Sequence, residues 1–144
     1  MHIRFASPEE THALRQQVLR PMQAMEEMEW PQDRNPGSFH IGVEQDSELV
    51  AVASFLPERN PMLKGERPYR VRGMATAAPF RRAGLGARLL RFGMDGLLDR
   101  HADLVWCHAR QRAVPFYARA GFTRLGSLFE VQDIGIHLLM YQPL

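Results

Sequence analysis

Residues 80–87 of the chain read Phe-Arg-Arg-Ala-Gly-Leu-Gly-Ala, and this stretch constrains the fold most strongly. It follows an apolar, strand-like run from 69 to 75 and opens an amphipathic, helix-like segment from 85 to 98. Two glycines two positions apart let the backbone approach a ligand closely. The first turn of a helix has unpaired N–H groups and a partial positive charge, which suit a phosphate. The stretch therefore predicts a strand, a glycine turn and a helix that bind a pyrophosphate.

Two better-known phosphate motifs do not fit this stretch. The dinucleotide-binding fingerprint needs a third glycine, where the chain has Leu89. The phosphate loop of nucleotide hydrolases needs Gly-Lys-Ser/Thr, which does not follow. Taken alone, the stretch is also explained by a tight strand-to-helix connection with arginines on the surface.

A second motif lies at residues 106–122, which read Trp-Cys-His-Ala-Arg-Gln-Arg-Ala-Val-Pro-Phe-Tyr-Ala-Arg-Ala-Gly-Phe. Combined with the glycine turn, it resembles the GCN5-related N-acetyltransferase family. That family carries Gln/Arg-x-x-Gly-x-Gly/Ala after its fourth strand, and later Asn-x-x-Ala-x-x-x-Tyr followed by Gly-Phe. The matching positions in this chain are Arg81, Gly84, Gly86, Arg110, Ala113, Tyr117, Gly121 and Phe122.

Composition agrees with an ordinary soluble protein. With 144 residues, 45% hydrophobic and 24% charged, the chain is expected to form a single domain, 1–144. The net charge of +2 and the spread of the arginines along the chain argue against nucleic-acid binding. The longest apolar run, 49–56, is too short to cross a membrane.

Cysteine usage and the N-terminal residues predict a cytoplasmic location. One cysteine excludes an internal disulfide and suits a reducing compartment. The first residues contain no signal-peptide core. No His/Cys cluster has metal-ligand spacing, so no metal site is predicted.

Periodicity and turn residues give the element order β-α-α-β-β-β-α-β-α-β-β. Helices are predicted from residue 7 to about 20, within 22–38, over 85–98 and over 112–120, and a hairpin turn is predicted at 45–48. The apolar side of the helix over 85–98 consists of Leu85, Leu89, Leu90, Met94 and Leu97. Ser7-Pro8-Glu9-Glu10 forms a capping box that starts the first helix, and Gly73 predicts a bulge inside the strand 69–75. The order indicates a mixed α/β (α+β) protein. The resemblance implies the acyl-CoA N-acyltransferase fold, a twisted sheet of about seven strands with helices on both faces. In that fold the fourth and fifth strands, here 69–75 and 103–109, splay apart.

The resemblance also implies that acetyl-CoA is the cofactor and that its pantetheine arm lies between the splayed strands. The backbone of Met74, Ala75 and Thr76 would contact that arm, and an amide there would polarise the acetyl carbonyl. The remaining predicted cofactor-binding residues are the pyrophosphate loop Arg81, Arg82, Ala83, Gly84, Leu85, Gly86 and Ala87, together with Arg110. Arg110 replaces the family's asparagine, which puts the pantetheine contact at this position in doubt, and the alternative is that Arg110 binds an anionic group instead.

The predicted catalytic residues are Tyr117 and His108. Tyr117 matches the family tyrosine that protonates the departing thiolate; the alternative is that it only packs beside Phe116. A general base is harder to find, because neither central strand carries a glutamate. His108 has suitable chemistry, although it could equally be a buried structural histidine. His137, His40 and a water relay remain alternatives.

Strand alternation places Cys107 and His108 on opposite faces, which predicts that only one of them faces the cleft. A free cysteine there is most simply a packing residue rather than an acyl carrier.

The function expected from this resemblance, which extends to small bacterial members of the family, is acetyl transfer to a primary amine of a small molecule or peptide. The alternative is a non-catalytic acyl-CoA-binding sensor. A homodimer is a further expectation. In this fold the early helices, the loop before residue 69 and the last hairpin wall the acceptor pocket. The residues they offer are Arg20, Trp30, Asp33, His40, Glu58 and Glu66.

Overall fold

The chain folds around one sheet of seven strands, and the computed structural model describes residues 1–144. All neighbouring strands are antiparallel except the fourth and fifth, which are parallel. The order across the sheet is β1-β2-β3-β4-β5-β7-β6. The strands are β1 (His2–Ala6), β2 (Phe39–Gln45), β3 (Glu48–Pro57), β4 (Pro68–Thr76), β5 (Leu104–Arg110), β6 (Thr123–Val131) and β7 (Gly135–Pro143).

Helices cover both faces of this sheet. The first helix, α1 (9–19), passes from a 3-10 turn through an α-helical turn into a π-helical turn. The other two helices are α2 (Leu85–Asp99) and α3 (Val114–Arg119). The side chains of α2 pack into the large core formed with β2 to β5, whereas Leu14 of α1 packs on Val52 and Ala75 from the other side. This arrangement confirms the predicted fold class.

Local sequence signals set the ends of these elements as predicted. The capping box forms, because the Ser7 amide donates to the Glu10 carboxylate at 2.8 Å and the Glu10 amide to the Ser7 hydroxyl at 3.3 Å. Asp46 and Ser47 have positive φ angles of 52° and 66°, which give the two-residue turn that joins β2 to β3.

The predicted regular helix over 112–120 is shorter in the structure. A 3-10 turn at Gln111–Ala113 comes first, and α3 begins only at Val114. Pro115 has no N–H to donate to the carbonyl of Gln111, so the α-helical pattern cannot start earlier. The predicted second helix within 22–38 is likewise reduced to one 3-10 turn, Met25–Met28.

Packing of α2 brings its backbone very close to the sheet. A Cβ at Gly93 would lie 2.0 Å from the Phe55 ring, so no larger residue fits there without a shift. Leu85, Leu89, Leu90 and Leu97 of the predicted apolar side are buried. This close packing determines the position of the first turn of α2 beside β4.

The feature that creates the site is the separation of β4 from β5. The two strands pair only at their starts, from Pro68 with Leu104 to Arg70 with Trp106, and diverge beyond that point. On its other edge β4 has a bulge between Arg72 and Ala75, at Gly73, whose φ is +68°. The predicted bulge and splay are both confirmed. No helix of the structure has the length and apolar character needed to span a membrane.

Candidate active site

A cavity of about 510 Å³ lies where β4 and β5 diverge. Its walls come from both strands, the end of α1, the start of α3 and the loop between β6 and β7. Several predicted site residues, distant in the sequence, line this one space: Met74, Ala75, Thr76, Arg81, His108, Arg110 and Tyr117. The cavity is therefore the candidate active site.

The two sides of the cavity carry different residues, because side chains of a strand alternate between the two faces of the sheet. We call the face of the sheet that α2 and α3 cover the helix face, and the face that α1 and Trp30 cover the α1 face. On the helix face, Cys107 and Ala109 of β5 pack into the large core. On the α1 face, β5 presents Trp106, His108 and Arg110. The expectation that only one of Cys107 and His108 faces the cleft is wrong. The sheet is open at the splay, so residues from both faces reach the same cavity.

The predicted phosphate turn lies at one end of the cavity. The first backbone hydrogen bond of α2 runs from the Arg88 amide to the Gly84 carbonyl at 3.2 Å, which leaves the three preceding amides without a helical partner. Gly84 has a φ of +76°, and a Cβ there would meet nothing within 4 Å. Unpaired amides, an open approach and exposed Arg81 and Arg82 fit a pyrophosphate.

The same turn is in contact with the splay. A Cβ at Gly86 would lie 3.7 Å from the Met74 sulfur and 3.4 Å from the Phe116 ring. The Arg81 side chain donates to the Thr76 carbonyl at 3.3 Å. Of the other predicted loop residues, Leu85 is buried in the core and the remaining five do not line the cavity. These residues would therefore contact a cofactor through their backbone amides. These five are Arg82, Ala83, Gly84, Gly86 and Ala87.

Tyr117 is buried on the helix face, and it lines the cavity. Its ring packs edge-on against Phe116 and Phe122, with centroid separations of 5.0 and 5.3 Å. Burial raises the pKa of the phenol above its ordinary value, so the hydroxyl keeps its proton at neutral pH. Burial likewise raises the pKa of the Cys107 thiol, which stays neutral and is a poor nucleophile.

His108 lies on the α1 face, beside the Trp106 and Phe129 rings. Its Nδ1 is 3.4 Å from the Arg70 guanidinium. Burial, followed by the charges of Arg70, His137 and Arg72, lowers the pKa of the imidazole to about 4. His108 is therefore neutral at pH 7 and able to accept a hydrogen bond, while the lowered pKa makes it a weak proton acceptor as long as those charges are not offset.

The two other histidines considered as bases differ in position. His137 lines the cavity, and its Nδ1 is 2.8 Å from the Gly135 carbonyl oxygen. His40 lies outside it, with its ring nitrogens 2.7 Å from the Ser54 hydroxyl and 3.0 Å from the Asp33 carbonyl oxygen. Both ring nitrogens of His40 are engaged, so it serves the structure of β2 and β3.

The residues expected around the acceptor divide sharply by charge. Arg20 and Trp30 line the cavity, whereas none of the expected acidic residues does. Asp33 is fully buried instead, where it accepts from Arg15 of α1 at 2.6 and 2.9 Å. The burial of this pair could not be read from the sequence, in which Arg15 has the position of an ordinary surface arginine. The remaining acidic residues, Glu58 and Glu66, lie outside the cavity.

Sequence reasoning missed two further cavity residues, Arg70 and Arg72. They stand two positions apart on β4, and this spacing places both side chains on one face of a strand. This spacing is visible in the sequence, but it points to the site only once the structure shows that this face of β4 lines the cavity.

Comparisons with known proteins agree with this geometry. The model of the Acetyltransferase (GNAT) family matches residues 6–122. An uncharacterized N-acetyltransferase, YitI of Bacillus subtilis (strain 168), is 36% identical over 144 residues, which cover 100% of this chain and 97% of the relative.

Solved structures share the fold at low sequence identity. An aminoglycoside 6'-N-acetyltransferase complexed with coenzyme A has a TM-score of 0.78 at 13% identity, covering 99% of this chain and 97% of the other. Escherichia coli ElaA has a TM-score of 0.79 at 16% identity, covering 98% of each chain. FeeM, an N-acyl amino acid synthase from uncultured soil microbes, has a TM-score of 0.81 at 12% identity, covering 99% and 89%. The chain belongs to the GNAT acetyltransferase family and is an acetyl-CoA-dependent acyltransferase.

Proposed function

We propose that the protein moves an acetyl group from acetyl-CoA directly to a primary amine of a small molecule or peptide. The observation that carries this proposal is the cavity at the splay. It brings a buried phenol from the helix face and a neutral imidazole from the α1 face to a single space. An acid and a base on opposite sides of one cleft suit a transfer reaction.

The cofactor would be held largely by backbone groups. The free amides at the start of α2 would bind the pyrophosphate, and the unpaired inner edge of β4 from Met74 to Thr76 would bind the pantetheine arm. Bound acetyl-CoA supplies an activated acetyl thioester. The protein's own part is to orient that group, exclude water and move protons on either side of it.

Two side chains would move the protons. Tyr117 keeps its proton because its environment is apolar, and it would give that proton to the leaving thiolate. His108 would take a proton from the attacking amine, directly or through a water. Cys107 has no chemical part, since a neutral buried thiol does not attack a thioester.

A non-catalytic acyl-CoA-binding role is not favoured, because a candidate acid, Tyr117, and a candidate base, His108, both line the cavity. Location in the cytoplasm and assembly as a homodimer stay parts of the proposal, as does a single domain over 1–144. Exposed apolar side chains on the last hairpin, Leu128 and Ile136, are where a second copy would pack.

The direct test is a transfer assay. Purified protein is mixed with acetyl-CoA and a panel of primary amines, free thiol is followed over time, and the acetylated product is identified by mass spectrometry. The proposal expects thiol release that depends on an amine, with product mass raised by one acetyl group. Thiol release that no amine accelerates, combined with tight acetyl-CoA binding, would favour the non-catalytic role instead.

A further inference from the structure

Four arginines gather on the α1 face of the cavity, and we call them the arginine cluster: Arg20, Arg70, Arg72 and Arg110. Two come from alternate positions of β4, one from the end of β5 and one from the residue that follows α1. They are close enough to affect one another. Burial lowers the pKa of Arg72 and of Arg20, and neighbouring charges lower both further: those of Arg70 and Arg20 act on Arg72, and those of Arg110 and Arg70 act on Arg20.

No carboxylate balances this charge inside the cavity. The cavity wall contains no Asp or Glu, and it includes two more arginines, Arg81 and Arg112. Only Arg70 has an acidic partner, Glu58, at 3.3 Å and outside the cavity. Arg20, Arg72 and Arg110 form no ion pair. Leaving cations partly buried without a counter-ion is unfavourable, so the folded protein gains when an anion binds there.

The cluster is held in place rather than free to swing into solvent. The Arg72 guanidinium stacks on the Trp30 ring at 3.9 Å, and the Arg20 guanidinium lies 5.8 Å from the same ring. Arg110 donates to the Leu19 carbonyl at 2.7 Å. A guanidinium that stacks through its flat face keeps its edge N–H groups for a ligand, and that edge matches the two oxygens of a carboxylate.

We infer that the acceptor is an amine that also carries a carboxylate, such as an amino acid or a short peptide, with the carboxylate bound by Arg72 and Arg20. This inference rests on the proposed function, because it names the substrate class of the same site. The alternative acceptor class, polyamines, would place several ammonium groups beside four guanidiniums, and like charges at close range repel.

The cluster also helps the chemistry of such an acceptor. Nearby cations lower the pKa of an ammonium group, so an amine held beside the cluster loses its proton more readily. A bound carboxylate would at the same time offset the arginine charges that lower the pKa of His108. Both effects ease proton transfer in a site whose walls lack a glutamate base.

The test compares pairs of acceptors that differ only in the carboxylate. The common L-amino acids, their carboxamides and 1,4-diaminobutane are titrated calorimetrically into the CoA-bound protein, and the same compounds are tried as acceptors. We expect at least one amino acid to bind and react about tenfold or more better than its carboxamide, and the diamine to do neither well.

Substitutions in the arginine cluster test whether Arg72 and Arg20 bind the carboxylate. Arg72→Gln should weaken amino acid binding about tenfold or more, with Arg72→Lys between it and the natural protein. Arg20→Gln serves as an independent second variant. Arg124→Gln removes an equal charge from an exposed position on β6 and should change nothing. Acetyl-CoA affinity should stay unchanged in every variant, and thermal unfolding, measured alongside, should show no loss of stability.

Each outcome has a definite meaning. Equal or better transfer to the carboxamide or the diamine would overturn the inference while the proposed function stands. Amino acid binding that depends on Arg72, without transfer to any amine, would support the anion site and overturn the proposed function. Absence of binding by every amino acid, or binding that Arg72→Gln leaves unchanged, would overturn the inference.

Discussion

Replacing Tyr117 with phenylalanine separates chemistry from packing at this site. The ring is 7% exposed and contacts Phe116 and Phe122, and phenylalanine keeps those contacts. Tyr117 lines the cavity and its hydroxyl forms no hydrogen bond to another residue, so removal of the hydroxyl leaves no buried partner unsatisfied. We therefore expect the free energy of unfolding to change by less than about 1 kcal/mol.

The expected effect on the reaction is much larger. A positioned general acid contributes about 10²- to 10⁴-fold to rate, which corresponds to about 2.7–5.4 kcal/mol of activation free energy. Since the proposed role of the phenol is to protonate the departing thiolate and not to bind acetyl-CoA, kcat should fall by that factor while the Kd for acetyl-CoA stays within about twofold.

Steady-state thiol release gives kcat, and calorimetry with acetyl-CoA gives the Kd. Tyr141→Phe is the matched control, because it removes a tyrosine hydroxyl from β7 outside the cavity. Equal losses of rate and cofactor affinity in Tyr117→Phe would assign the residue to packing. An unchanged kcat would mean that another group supplies the proton.

Three further predictions follow from the same structure. Gly86→Ala should fold normally, because its Cβ lies at an ordinary contact distance of 3.4 Å from the Phe116 ring. The added methyl group narrows the space between this turn and β4, so calorimetry should show acetyl-CoA binding that is weaker by about tenfold or more. Asp33→Ala should lower the free energy of unfolding by about 3–5 kcal/mol in denaturant titrations, because Arg15 is left buried and unpaired. Glu29→Ala removes an exposed ion pair with Arg34 and should change that free energy far less. The pKa of His108 is about 4 when folded and about 6.5 when unfolded, so its contribution to stability is complete above pH 6.5 and is lost as the pH falls towards 4. His108→Gln should flatten that part of a stability–pH curve, and an unchanged slope would contradict the assignment.

The sequence predicted the backbone elements at the proposed cofactor end of the site, for a local reason. A glycine turn, the helix it opens and the bulge at Gly73 depend on residues close together in the chain, and all three form where expected. The capping box at Ser7 and the turn at Asp46 are equally local.

The acceptor end could not be predicted in the same way, because it depends on contacts between distant residues. Asp33 was a candidate for meeting an amine, yet it binds Arg15 from α1 inside the protein. Arg70 and Arg72 acquire meaning only once β4 is seen to part from β5, which exposes their face to the cavity. Tertiary burial decides which charges are paired, and no local pattern encodes it.

The central claim is that the splay between β4 and β5 binds the pantetheine arm of acetyl-CoA, and calorimetry tests it most directly. Acetyl-CoA and 3′-phospho-ADP share the adenosine, the 3′-phosphate and the pyrophosphate, and they differ in the acetyl-pantetheine arm. We predict micromolar binding of acetyl-CoA, about −8 kcal/mol, at least about tenfold tighter than 3′-phospho-ADP and than ADP. Equal affinities would mean that the splay contributes nothing, and no binding of acetyl-CoA would contradict the account as a whole.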